Sequence, residues 1–150
     1  MHEEDLSHVK LQKHLDRQAV GFPATGSGVE IRILKRTFTP LEAEVAACLN
    51  HKPEPIEPVF KRCGDMIETA EELEKVLDRI RGKGGIEITV KDGKKQYCNL
   101  PFVVGMYELQ IGSLNREFVK DLDEYISNKK FGLEILSTEL PQMRTIRVEK

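Results

Sequence analysis

Tryptophan is absent from this 150-residue chain, cysteine occurs only three times, and no long hydrophobic run interrupts it. The longest apolar candidate, Leu100-Pro-Phe-Val-Val-Gly-Met-Tyr107, is less than half of the ~18 residues a membrane span needs, and it contains a proline. The N-terminus, Met1-His2-Glu3-Glu4-Asp5, is acidic and offers neither the basic n-region nor the apolar core of a secretory signal. Cys48, Cys63 and Cys98 are odd in number, and their separations of fifteen and thirty-five residues match no zinc pattern. Such a set suits a reducing compartment, so a cytoplasmic location is expected. Neither charge sign dominates. With 23 Lys+Arg against 25 Asp+Glu, the net charge of −2 removes the simplest argument for nonspecific nucleic-acid binding.

Signatures of catalysis are missing as well. There is no G-x-S-x-G and no local cysteine-protease frame. The glycine-rich segment Gly21–Gly28 lacks G-K-[ST], and Gly82-Lys-Gly-Gly85 follows a helix and precedes a strand, the reverse of a phosphate-cradling order. Glu71 and Glu72 are adjacent on a helix and diverge, so they form no acid/base dyad. Cys48-x-x-His51 has no second pair of comparable spacing; Cys48 reads as part of an apolar stripe and His51 as a helix-terminal cation. His8 and His14 lie six apart, the wrong spacing for one helical face, and are expected at the surface. The expectation is no enzyme, with no catalytic, cofactor-binding or metal-binding residue in this chain.

What is present is a succession of short amphipathic elements, in a length that fits one domain and buries about 70% of its unfolded surface. Leu11, Leu15 and Ala19 predict a helix over 6–19, followed by the loop Gly21-Phe-Pro-Ala-Thr-Gly-Ser-Gly28. Val29–Leu34 alternates like a strand but also fits one helical face, and Ser27-x-x-Glu30 resembles a capping box; the balance leans to helix. Thr39-Pro40-Leu41-Glu42 opens a helix with Leu41, Val45, Cys48 and Leu49 as its apolar stripe. A short helix is expected to end at Cys63 before Gly64, with Ile56, Val59 and Phe60 inward. Thr69-x-x-Glu72 opens another, with Leu73, Val76, Leu77 and Ile80 on one face. The runs Ile86–Val90 and Lys95–Cys98 flank Asp92-Gly93, a strong hairpin signal. Asn115 can cap a helix carrying Phe118, Leu122, Tyr125 and Ile126, while Phe102–Tyr107 with Leu109 and Ile111 reads as core or, less readily, a protein contact.

Helix, helix, turn, helix and hairpin is the order of a winged helix-turn-helix. The expected fold class is therefore α+β, mainly helical, with a winged-helix-like core at 29–98. An N-terminal helix and Gly/Pro loop at 1–28, a helical extension at 99–139 and an extended connector at 140–150 flank it. From Glu57 to Lys95 there are nine positive and nine negative side chains. The helix start that would meet base edges carries Ala70, Glu71, Glu72 and Glu74, which suits phosphates poorly. Lys91, Lys94 and Lys95 at the hairpin tip are the candidate nucleic-acid contacts under an alternative reading, a DNA-binding transcriptional regulator.

Four phrases stand out together: His14-Leu-Asp-Arg-Gln-Ala-Val-Gly-Phe-Pro-Ala-Thr-Gly-Ser-Gly-Val-Glu30, Arg36-Thr-Phe-Thr-Pro-Leu-Glu-Ala-Glu44, Pro101-Phe-Val-Val-Gly-Met-Tyr-Glu108 and Leu140-Pro-Gln-Met-Arg-Thr-Ile-Arg-Val148. In this order they resemble the N-terminal region of bacterial ferredoxin-type 4Fe–4S iron–sulfur proteins. In that family a winged-helix-like domain precedes a cysteine-rich cluster domain. The resemblance implies a non-catalytic module of an electron-transfer protein, one that mediates contacts with a protein partner or with its own ferredoxin domain. A homodimer stays open, and DNA belongs only to the alternative reading. The family's C-x-x-C-x-x-C runs do not occur here, so no ligand is carried over to Cys48, Cys63 or Cys98. Clusters are expected only in a domain attached after Val148, with 141–147 as connector.

Overall fold

In the computed structural model, residues 3–18 and 20–136 are described, and the connector expected at 140–150 lies outside them. Helices dominate, accompanied by one two-stranded antiparallel sheet. The first helix, α1 (Glu3–Asp16), begins and ends three residues earlier than its periodicity suggests, and buries Leu11 and Leu15. It packs across α2 (Val29–Thr37) and α3 (Pro40–Ala46).

The ambiguous segment is helical, as Val29, Ile33 and Leu34 on one buried face indicated. Its expected Ser27 box does not form. Gly28, in the left-handed region at φ 69°, is the N-cap and makes no side-chain cap, which leaves Ser27 outside the first turn. Thr25 works there instead: its hydroxyl accepts from the Gly28 N–H at 3.1 Å and donates to the buried Glu30 carboxylate at 2.5 Å. Ser27 donates to Glu124 on a distant helix.

At Thr39 the box is complete. The hydroxyl accepts from the Glu42 N–H at 3.3 Å, and the Glu42 carboxylate accepts from the Thr39 N–H at 2.8 Å. Leu41 corrects the predicted stripe: it is 42% exposed, and Glu42, Ala43, Val45 and Ala46 face inward instead. The capping carboxylate, which also accepts from Lys83 at 2.6 Å, sets that rotation.

The next helix, α4 (Ile56–Cys63), stops at Gly64 with φ 56°, and α5 (Ala70–Gly82) buries Leu73, Val76, Leu77 and Ile80 as the pattern requires. Thr69 caps α5 by accepting from the Glu72 N–H, but Glu72 returns to the Glu68 N–H, so only half of that box closes. The chain then passes Gly84 at φ 75°. A Cβ on Gly85 would lie 2.7 Å from both Ile80 and the Phe38 ring, so only glycine lets the backbone run this close to the core.

Strands β1 (Ile86–Lys91) and β2 (Lys94–Asn99) pair from Ile86↔Asn99 to Lys91↔Lys94. Asp92 and Gly93, both at positive φ, make the two-residue turn. Glu54, between α3 and α4, adds an antiparallel bridge to Tyr97 through N–H···O bonds of 3.2 and 2.9 Å.

A π-helical turn over Phe102–Met106 leads into α6 (Tyr107–Gln110), then α7 (Arg116–Ile126) and α8 (Lys129–Leu136). Asn115 caps α7 by accepting from the Phe118 N–H at 2.8 Å. Phe118, Leu122 and Tyr125 are buried, whereas Ile126 is exposed, because the inward stripe closes on Tyr125. Tyr125 sits within ring–ring distances of 4.8–5.3 Å of Phe22, Phe102 and Phe131, and its hydroxyl donates to the Pro23 carbonyl. One core therefore runs from Leu11 to Phe131. Outside it, Asp121 of α7 accepts from Arg32 at 3.0 Å and from Arg36 at 2.8 Å, both on α2.

Two carboxylates thus carry an acid-sensitive share of stability. Burial opposes ionisation of Asp121 and Glu42, but Arg36 and Arg32 at the first, and Lys83 with the Thr39 N–H at the second, hold both below the usual carboxylate range. A depressed folded pKa contributes stability that is present above the unfolded value of about 4 and is lost as pH falls through the folded value. Urea unfolding should therefore show a drop below about pH 4. Asp121→Asn is expected to cost about 1–2 kcal/mol at pH 7, discounted for its half-exposed partners, and to flatten the acid limb; an unchanged acid limb would remove the clamp from the account.

Candidate functional site

Charge on the α5–hairpin face decides what that surface can bind. Glu71 and Glu72 are exposed at the start of α5, with Glu74 and Asp78 one and two turns further along. Lys95 reaches back from β2 to donate to Glu74 at 2.9 Å and to Asp78 at 3.2 Å. Hydrogen bonds to these two carboxylates raise the Lys95 pKa beyond its ordinary value and lower that of Glu74. Lys95 is thus a paired cation, whereas Lys91 and Lys94 face each other across the hairpin tip and are exposed. Beneath them Tyr97 is buried, and burial followed by the Glu74 charge pushes its phenol up to about 12.

The histidines fall elsewhere than expected. His8 is 2% exposed, and its Nε2 donates to the Phe38 carbonyl at 2.8 Å; His14, half-buried, donates to the Leu49 carbonyl at 2.6 Å. A carbonyl only accepts, so Nε2 of each carries a hydrogen. Both correct the surface assignment. Six residues on an α-helix turn through roughly 600°, which does not place the two on one stripe, but α1 lies between two loops and reaches a different carbonyl on each side. His51 is exposed.

Cys98 is buried in β2, and burial raises its thiol pKa. Cys48 lies two residues past the end of α3, where its thiol donates to the Glu44 carbonyl at 3.4 Å and to the Arg62 carbonyl at 3.6 Å, and Cys63, the next residue after Arg62, closes α4. The one signal in the sequence is that both stand at helix C-terminal ends joined by a short connection. Among the described residues no cluster of three or more His, Cys, Asp and Glu could hold a metal ion, and no helix is long and apolar enough to cross a membrane.

Two surface hollows lie beside the 102–111 segment. An open cleft of about 600 Å³ includes Arg36, Lys83, Gln110, Ser113 and Asn115 in its wall. Its two cations are already engaged, Arg36 by Asp121 and Lys83 by Glu42. A smaller groove of about 320 Å³ has Ile86, Leu100 and Leu109 as its apolar floor and Arg81, Glu87 and Glu108 at its margin. Here the segment expected as core divides. Phe102 and Met106 are buried, while Leu109, which lines the groove, and Ile111 stand 56% and 61% exposed.

Comparison with protein-family models, with curated proteins and with solved structures finds no match to this chain.

Releasing Lys95 should change what the α5–hairpin face attracts. The double variant Glu74→Gln/Asp78→Asn frees Lys95 from its two carboxylates on the face that also carries Lys91 and Lys94, and retention on immobilised heparin is expected to rise markedly at low salt. Retention no higher than that of the Glu57→Gln/Asp65→Asn variant, which has the same net charge, would mean that the carboxylates do not govern this face.

Proposed function

We propose that this chain is a non-catalytic protein-contact module on a winged-helix scaffold, serving an iron–sulfur electron-transfer protein of ferredoxin type. The scaffold reading is supported by the order of α3, the Glu54 bridge, α4, α5 and the β1–β2 hairpin. The bridge supplies the third strand position such a module uses. The family phrases alone support the iron–sulfur context.

One observation carries the choice of protein over DNA. The helix start that would enter a groove presents Glu71 and Glu72, and the hairpin lysine nearest to it, Lys95, is neutralised by Glu74 and Asp78. Phosphate contacts supply most nonspecific affinity and need cations at the surface, so this face repels where a DNA reader attracts. Two exposed apolar side chains, Leu109 in the charged-rimmed groove and Ile111 two residues on, suit a protein partner.

The chain is expected to show no binding to duplex DNA at low salt in a fluorescence titration and no visible iron–sulfur absorption after anaerobic purification. Salt-sensitive, sequence-preferring DNA binding that disappears in Lys91→Ala/Lys94→Ala would establish the transcriptional-regulator alternative instead. The electron-transfer context is tested separately on the natural gene. A stop codon directly after Lys150 removes the proposed cluster domain, whereas closely spaced cysteine codons downstream support it.

A further inference from the structure

The hairpin leaves one edge of its sheet open. The sheet is β1–β2, and the Glu54 bridge covers the outer side of β2, so β1 is the uncovered edge among the described residues. The same bridge tells which backbone groups of β1 point outward. Tyr97 and Glu54 exchange both N–H···O bonds, and the Asn99 N–H donates to the Asn50 carbonyl, so Tyr97 and Asn99 turn their peptide groups away from β1. In an antiparallel ladder, residues directly opposite each other either both face the partner strand or both face away from it. Ile88 stands opposite Tyr97 and Ile86 opposite Asn99, and alternation along the strand adds Val90. The N–H and C=O groups of Ile88 and Val90 therefore face away from β2, and they have no hydrogen-bond partner among the described residues.

Solitary edge strands are commonly blunted by a proline, a bulge or an inward-pointing charge. Ile86-Glu-Ile-Thr-Val-Lys91 has none of these. Ile86, Ile88, Thr89 and Val90 are β-branched, the ladder runs one to one, and the single acid cancels the single base. Val90 shares the face of Ile86 and Ile88, which pack on the core, yet it is 71% exposed. On the other face Glu87 and Lys91 are exposed, with no ion-pair partner among the described residues.

We propose that β1 pairs antiparallel with β1 of a second copy of this chain, about a two-fold axis at Thr89. With the axis there, Ile88 lies opposite Val90 of the second copy and exchanges both N–H···O bonds with it, and symmetry repeats the pair. Glu87 lies opposite Lys91 of the second copy, also twice, and the two Thr89 side chains meet at the axis. Each of these cross-strand pairings is favourable. An axis one residue to either side also satisfies the free backbone groups, but it sets Glu87 against Thr89 or Gly93 and leaves the charges unmatched. The chosen register brings the tip of the second copy, with Lys91, Asp92 and Lys94, to the start of β1, where Arg81, Glu87 and Glu108 stand at the margin of the groove beside Ile86. Two cations and one carboxylate there meet two carboxylates and one cation. The interface is isologous and joins the two hairpins into one sheet of four strands. It is small, so the dimer forms reversibly, and it owes nothing to the iron–sulfur context.

Sedimentation velocity on the purified chain, from a few micromolar to about 1 mM, should show a monomer–dimer equilibrium. Val90→Pro removes an outward N–H and leaves the β1–β2 ladder intact, so it should stay monomeric over the same range with an unchanged circular dichroism spectrum. Glu87→Lys and Lys91→Glu should each weaken self-association about tenfold, because attractive pairs at both ends become repulsive. Mixing these two variants should restore dimerisation to within about threefold of wild type, since opposite charges again meet at both ends. Amide exchange of the wild type, which needs no variant to fold, should slow at Ile88 and Val90 as concentration rises and change little at Thr89, which already pairs with Gln96. A chain that stays monomeric throughout would overturn the pairing and leave the edge to a strand of another protein. Concentration-dependent protection at Leu109 and Ile111 in place of β1, or a mixture no tighter than its single variants, would overturn it as well.

Discussion

The buried carboxylate of Glu42 is the joint on which the helix arrangement turns. Taking a carboxylate out of water costs several kcal/mol unless its oxygens are matched by donors. Here the matching groups come from two ends of the fold, the Thr39 N–H at the start of α3 and the Lys83 ammonium at the end of α5, with Arg79 at 3.8 Å. The constraint then spreads along the backbone. Lys83 offers its carbonyl to the Gln110 side chain at 2.5 Å, which fixes α6, and it immediately precedes the Gly84-Gly85 passage that sets the origin of the hairpin. His8 donates to the Phe38 carbonyl one residue before Thr39, so α1 is tied to the same corner. Moving Glu42 would disturb the placement of α1, α3, α5 and α6 at once.

A second, independent constraint holds the C-terminal helices. Arg32 and Arg36 stand one turn apart on α2, and Asp121 of α7 accepts from both, with Arg36 offering two of its nitrogens to one oxygen. Fork geometry of this kind fixes orientation more than it adds energy, since the arginines are partly solvated. Most of the energy comes from the aromatic cluster of Phe22, Phe102, Tyr125 and Phe131, each ring contributing area that alternatives to this packing would leave wet. The two constraints meet only through α2 and the common core. The α5–hairpin face is consequently positioned by Glu42 and Lys83, not by the clamp at Asp121.

Features set by neighbours three or four residues away were legible in the sequence. The Thr39 box, the Asn115 cap, the apolar face of α5 and the Asp92-Gly93 turn each depend on local geometry that a short window contains. Features set by competition between distant partners were not. Ser27 looks like a cap, but Glu30 is satisfied by Thr25 while Ser27 is drawn to Glu124, ninety-seven positions away. Leu41 looks like core because the helical period places it there, yet a carboxylate with three donors outcompetes a leucine for the inward position. His8 and His14 look like surface because polar side chains usually are, and the acceptors that turn them inward, the carbonyls of Phe38 and Leu49, belong to other segments.

The same distinction governs the chemistry-bearing residues. A count of nine cations against nine anions over 57–95 is correct and says little, because Lys95 meets its carboxylates across twenty-one positions and the face loses a cation that the sequence retains. For the cysteines, spacing excluded a zinc pattern but could not see that the connection between α3 and α4 folds back. That connection is held from the outside: the Leu49 carbonyl accepts from both His14 and the Asn99 side chain, the Asn50 carbonyl accepts from the Asn99 N–H, and Glu54 bridges Tyr97. Four contacts from α1 and β2 therefore fix the return of the chain that sets Arg62 against Cys48, the Cys48 thiol donating to the Arg62 carbonyl and the Arg62 side chain to the Cys48 carbonyl. Cys98 lies buried on the strand that supplies three of those contacts, between Tyr97 and Asn99.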